Sequence, residues 1–116
     1  MTTTQSLTDA QYHALASSVL DGIERTVDAW LDADVIDIDS HRTGGLLELS
    51  FPNGSKIVIN TQPPLHELWL ASRAGGYHFH WVDGQWRDRE GHEFHTRLSA
   101  QASAQAGSSL VFAAPQ

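Results

Sequence analysis

The chain has 116 residues, 41% of them hydrophobic, with four Trp, no Cys and a formal net charge of −7. That size suits one domain around one core, and the missing thiols exclude a disulfide scaffold, a thiolate-held metal or cluster, and a cysteine nucleophile, so any metal must be held by oxygen or imidazole. Residues 1–40 hold eight acids and one base, Arg25, whereas residues 41–116 hold six of each, so the whole net charge lies in the first third, a field that repels nucleic acid and anionic membranes and attracts cations or a basic protein surface.

Residues 1–8 are polar, and a flexible N-terminus is expected there. Thr8 or Asp9 is suited to cap a helix. Tyr12, Leu15, Ala16, Val19, Leu20, Ile23, Val27, Trp30 and Leu31 then recur with helical spacing, which predicts an amphipathic helix of about six turns. Alternation at residues 35–39 predicts a first strand, Gly44-Gly45 a turn, and residues 46–51 a second strand with Leu47, Leu49 and Phe51 inward. Asn53-Gly54 is a hairpin signal into a third strand at residues 56–60. Pro63-Pro64 forces a break, residues 65–73 read as a strand, Gly75-Gly76 as a turn, residues 77–82 as a strand, and Asp83-Gly84 as a hairpin into residues 85–87. Residues 94–106 read as a second helix stopped by Gly107, and residues 108–116 as a tail whose Leu110, Val111 and Phe112 pack back on the domain. Short turns require antiparallel pairing. The expected fold is therefore a single α+β domain, two terminal helices packed on one face of an antiparallel sheet of five or six strands.

At 100° per residue, Asp21, Glu24, Asp28 and Asp32 form one stripe on the first helix. Asp34, Asp37 and Asp39 follow on the connection and first strand, the last two on one face. Such crowding is mildly destabilising, more so where the helix dipole is negative. A charged helix face is commonly just a solvated one. If the stripe does bind metal, its ligands are hard oxygens suited to Fe²⁺, Fe³⁺, Mn²⁺, Ca²⁺ or Mg²⁺, held weakly on an open ridge.

Strand parity places Asn60, Trp69, His78 and His80 on the outer sheet face. Trp69 there is either an interaction anchor or a ring lying flat on its own sheet. His78 and His80 offer an alternative metal pair, although two imidazoles rarely complete a shell. There is no phosphate loop, no nucleophile elbow and no H-E-x-x-H. The acids are clustered and exposed rather than pocketed, so an enzyme is not expected. The absence of Cys, of a secretory leader and of a long apolar run points to the cytoplasm.

Residues 53–79, NGSKIVINTQPPLHELWLASRAGGYHF, carry Asn-Gly-Ser-Lys, Ile-Asn-x-Gln, Pro-Leu-His-x-x-Trp-Leu-Ala and Gly-Gly-Tyr-His-Phe in turn. This block resembles the signature of the frataxin family, most closely its bacterial CyaY-type branch. Gly44-Gly45 with Leu46-Leu47, the Trp86 strand and the acidic first helix extend the likeness over nearly the whole chain. The resemblance implies the frataxin-like sandwich, weak Fe²⁺/Fe³⁺ binding on the acidic ridge, and docking on the cysteine desulfurase and cluster scaffold protein of iron–sulfur assembly. It implies a monomer, with iron-driven oligomers as a further state. Glu24, Asp28, Asp37 and Asp39 match ridge positions of the family, Asp21, Asp32 and Asp34 match in character, and Asn60, Gln62 and Trp69 match partner-contact positions. Arg25 and Ala29 stand where the family often has acids, and the segment between Trp30 and Asp37 is longer than the family's.

Overall fold

A computed structural model describes residues 7–115; the expected frayed residues 1–6, and Gln116, lie outside the described residues. Helix α1 spans Asp9–Asp32. Thr8, not Asp9, caps it: Thr8 Oγ1 accepts from the Gln11 backbone N–H at 3.0 Å, and Gln11 Oε1 accepts from the Thr8 N–H at 2.9 Å, a reciprocal box that satisfies two donors at the helix start. Tyr12, Ala16, Val19, Leu20, Ile23 and Val27 are buried along one side. The helix ends in a Schellman motif, with the Asp34 N–H on Leu31 O at 3.1 Å and the Val35 N–H on Trp30 O at 2.8 Å. That motif puts Asp34 in the left-handed region at φ 59°, where glycine is the usual occupant.

The six strands are β1 (Asp39–Thr43), β2 (Leu46–Ser50), β3 (Lys56–Gln62), β4 (Glu67–Ser72), β5 (Gly75–Val82) and β6 (Gln85–Arg87), followed by α2 (Phe94–Ala106). They pair antiparallel in chain order. Leu47, Leu49, Ile57, Ile59, Leu68, Leu70, Phe79 and Trp86 share one core with the buried stripes of α1 and α2 and with Leu110 and Phe112 of the tail. Each such side chain contributes about 1.5–3 kcal/mol on burial, which fixes strand parity firmly. The expected two-layer α+β architecture is the one observed. Val111 differs, remaining exposed between two buried neighbours.

Besides shifts of one or two residues at the ends of β2 and β3, three differences from the sequence expectation have a clear physical cause. Residues 35–38 are not a strand, and β1 begins at Asp39. Asp39 already pairs with Ser50, and the chain turns at Phe51 to Pro52, so residues 35–38 extend beyond the end of β2 and find no ladder partner. Ile38 is nevertheless buried and Ile36 half-buried while Asp37 points to solvent, so the alternation reflects packing without pairing. Leu65 belongs to a one-turn 3₁₀ helix, Pro63–Leu65, because two prolines fix φ near the helical value. The β4–β5 turn is Arg73-Ala74, and Gly75 and Gly76 are the first residues of β5. Gly75 is needed there for its φ of 153°.

Polar pins hold the layers in register. The Tyr12 hydroxyl donates to Glu67 O at 2.6 Å and accepts from the Gln62 N–H at 3.0 Å, tying α1 to the β3–β4 connection. Gln105, buried on α2, donates through Nε2 to Ser55 Oγ and Lys56 O and accepts the Arg73 N–H on Oε1. Asp88 Oδ1 accepts the Glu90 and His92 N–H groups, and its Oδ2 faces Arg97 Nη2 at 3.0 Å. Glu93 caps α2 through the His95 and Thr96 N–H groups. Burial resists ionisation of both acids, but these donors, with the Arg97 guanidinium at Asp88 and the His95 ring at Glu93, hold both carboxyls below their ordinary values.

Three outcomes follow for stability. Asp34→Gly, measured by urea unfolding, should stabilise by about 0.5–1 kcal/mol, because it relieves the left-handed conformation and removes a negative charge from the negative end of α1. Tyr12→Phe should destabilise by about 1–3 kcal/mol, since it leaves Glu67 O and the Gln62 N–H without their buried partner. Asp88 and Glu93 are more acidic folded than unfolded, so their contribution is complete above the ordinary carboxylate pKa of about 4 and disappears as pH falls through the lower folded values. Unfolding free energy should therefore drop below about pH 4, and a D88N/E93Q double variant should be less stable at pH 7 with a flatter acid limb.

Candidate functional site

The acidic residues divide into two sets. Asp21 and Glu24, on α1, flank edge strand β1. Arg42 pairs with Leu47 and so lies on the helix-facing side of the sheet. Its Nη1 sits 2.6 Å from Asp21 Oδ1 and 2.7 Å from Glu24 Oε1, with side-chain exposures of 26%, 49% and 33% for Arg42, Asp21 and Glu24. Hydrogen bonds to the two carboxylates push the guanidinium pKa up. At this exposure each pair contributes at most about 1 kcal/mol, yet one fixed cation occupies the space between both acids.

The second set is Asp28, Asp32, Asp34, Asp37 and Asp39. All five are exposed, and none has an ion-pair partner among the described residues. Asp28 and Asp32 lie in the last two turns of α1, which carry no basic residue in the final turn. Asp34 occupies the left-handed cap, Asp37 the unpaired connection, and Asp39 the start of β1 on its outward parity, opposite Ser50. These acids form an open rim and not a closed cage: the group of three ligating side chains whose donor atoms lie within 4.8 Å of one another among the described residues is Asp88, Glu90 and His92. That group is already committed, since Arg97 Nη2 lies 3.0 Å from Asp88 Oδ2 and 2.8 Å from His92 Nδ1.

The outer sheet face has the expected parity. Asn60 stands opposite Trp69, Trp69 opposite His78, Gln62 opposite Glu67, and Glu67 opposite His80. Trp69 is half-buried. Its indole stacks on His78 with centroids 4.0 Å apart and planes 6° off parallel, and its Nε1–H donates to Glu67 Oε1 at 2.8 Å. The ring is thus held by its neighbours and remains partly exposed. His78 and His80 share this face, but His78 is occupied in the stack, and no third ligand completes a set with them among the described residues.

Two residues escaped the sequence reading. Arg42 was invisible as a ridge partner because β1 was placed four residues early; with the strand at 39–43, its parity opposite Leu47 gives the direction of the side chain. Glu67 lies two residues before Trp69 on the same strand face, a spacing that permits the observed indole hydrogen bond.

The family model for the frataxin-like domain matches residues 5–108. The chain is 49% identical over 109 residues to the iron-sulfur cluster assembly protein CyaY of Burkholderia mallei, covering 93% of this chain and 100% of that one. Its structure superposes on the frataxin of Psychromonas ingrahamii with a TM-score of 0.81 at 35% identity, covering 92% and 99% of the two chains. A trimeric frataxin from Saccharomyces cerevisiae complexed with ferrous iron shares the fold, with a TM-score of 0.67, 23% identity, and 93% and 94% coverage. The curated relatives bear the name of an assembly protein and not of an enzyme, and no helix among the described residues is long and apolar enough to cross a membrane. Fold, matched residues and relatives agree: this chain belongs to the frataxin family.

Proposed function

We propose that this chain is an iron-binding adaptor of cytoplasmic iron–sulfur cluster assembly, taking Fe²⁺ or Fe³⁺ weakly on the acidic ridge and docking on the cysteine desulfurase and the cluster scaffold protein. The observation that carries the reading is the exposed set Asp28, Asp32, Asp34, Asp37 and Asp39, without ion-pair partners among the described residues. Hard carboxylate oxygens suit iron, and an open rim leaves the ion most of its water, so binding is weak and exchangeable. Weak retention suits delivery to an assembly site. The related proteins named for cluster assembly, and the yeast frataxin described with ferrous iron, support the choice of metal and process.

The same field complements a basic patch on a partner. Charges that face iron cannot be fully used for the partner as well, so iron and desulfurase binding are linked. Asn60, Gln62 and Trp69 supply a second contact on the outer face. Trp69 is held in place by Glu67 and His78 before any partner arrives, so little rotamer freedom is lost on docking. Ridge repulsion keeps the chain monomeric until cations neutralise it; the trimeric yeast relative is consistent with such a state.

Arg42 limits the ridge. By holding Asp21 and Glu24 it acts as an internal counter-ion, and iron is left the outer acids. Anaerobic Fe²⁺ titration by calorimetry should show weak uptake by the wild type, most of it lost in the D28N/D37N/D39N variant, while Arg42→Gln frees two carboxylates and increases uptake. A wild type without uptake would sink the iron assignment, and an unchanged Arg42→Gln would show that the pair carries no competition. Trp69→Ala should weaken desulfurase binding at least tenfold, the scale of an aromatic anchor, without altering Fe²⁺ uptake. Desulfurase affinity should also shift when Fe²⁺ is added; equal affinities would remove the linkage.

A further inference from the structure

The β2–β3 hairpin turns through Phe51-Pro52-Asn53-Gly54, and its backbone requires a chemically reactive pair of residues. The Gly54 N–H donates to Phe51 O at 2.9 Å, the Phe51 N–H donates to Ser55 O at 2.8 Å, and Gly54 sits at φ 86°, a conformation that favours glycine. A glycine after an asparagine leaves the asparagine amide unguarded. With no Cβ on the next residue, the following backbone nitrogen can reach the side-chain carbonyl carbon and close a five-membered ring. The turn therefore carries a labile amide and cannot shield it with a bulkier neighbour.

Asn53 is exposed, yet its amide is held at both ends. Nδ2 donates to Gln105 O at 2.6 Å, and Oδ1 accepts from the Ser55 N–H at 3.0 Å and from Ser55 Oγ at 2.7 Å. Gln105 lies in the last turn of α2, so its carbonyl is one that a helix leaves without an internal partner. The Asn53 amide satisfies it. Ring closure needs every one of these contacts released: Gly54 N must leave Phe51 O, and the amide plane must rotate away from Gln105 and Ser55.

We propose that Asn53 is a self-modifying site kept shut by the fold. In the closed turn the amide persists. When the turn opens, Gly54 N gives its proton to water or hydroxide and bonds to Asn53 Cγ, and the Cγ–Nδ2 bond breaks with release of ammonia. Water then opens the cyclic imide at either carbonyl, leaving aspartate or isoaspartate. One water is consumed and one ammonia released, with no oxidation or reduction. The product cannot rebuild the same turn, because a carboxylate has no proton for Gln105 O and adds negative charge at the negative end of α2. Deamidation thus marks irreversibly those chains whose hairpin has opened, an event local to this turn and the end of α2.

The test follows the full chain at pH 8, native and in denaturing urea, by peptide mapping in a mass spectrometer. Asn53 should be converted in urea and about tenfold more slowly, or slower still, in the native chain, a factor on the scale of the hydrogen bonds that must open. Asn60, the chain's second asparagine, precedes β-branched Thr61 in β3 and should stay intact in both. Asn53→Asp should raise the unfolding equilibrium constant about tenfold, read from the urea midpoint. Equal rates at Asn53 in native and unfolded chain, or conversion in urea at Asn60 and not at Asn53, would each overturn the proposal, as would an Asn53→Asp chain as stable as the wild type. The comparison of native and urea-unfolded wild type decides the matter even if the variant does not fold.

Discussion

Burial of one side of α1 against the inner face of the sheet is the constraint on which the rest depends. Tyr12, Ala16, Val19, Leu20, Ile23 and Val27 can reach the core together only in one rotation of the helix. That rotation sets Asp21 and Glu24 beside edge strand β1 and leaves Asp28 and Asp32 facing solvent. It also brings the Tyr12 hydroxyl to the β3–β4 connection, where it satisfies one backbone acceptor and one backbone donor. The acidic rim is therefore positioned by the core, without contacts of its own to hold it.

Magnitudes explain why such a rim is tolerated. Each like-charge pair on a helix costs a few tenths of a kcal/mol, whereas each large apolar side chain buried beneath it contributes about 1.5–3 kcal/mol. The fold can therefore carry several unfavourable charges at the negative end of α1, including an aspartate in a cap position that favours glycine. Arg42 removes part of the strain at the other end of the stripe. What remains is an electrostatic imbalance confined to one rim, available to cations and to basic surfaces alike.

The outer sheet face follows a different logic. Its side chains are not needed by the core, so they are free to serve recognition. Trp69 is nevertheless well defined, because a hydrogen bond from its indole N–H to Glu67 and a parallel stack on His78 fix its plane. A large aromatic held in position from below, with polar Asn60 across the ladder, presents contact area at low entropic cost. The acidic rim and this face are joined through the sheet, since Asp39 of the edge strand shares the outward parity of the β2 and β3 residues beside it.

Much of this was legible in the residue order. The 3.6-residue spacing from Tyr12 to Trp30 gave α1, the alternation Leu47-Leu49-Phe51 gave the inner face of β2, and Asn53-Gly54, Asp83-Gly84 and Gly107 marked turns and a helix stop that the structure keeps, because these signals act over a few residues. Trp69 and His78 were assigned correctly to the outer face, since parity within a strand is local. What the order of residues could not provide was anything set by distant partners. Residues 35–38 alternate like a strand but find no ladder beyond the end of β2. Gly75-Gly76 reads as a turn, yet pairing with Ala71 and Ser72 draws both into β5. The division of the acids into a pair held by Arg42 and an unheld set of five arises between segments far apart in sequence. Local periodicity determined the elements and their faces; only the docking of the helices on the sheet decided which charges found partners.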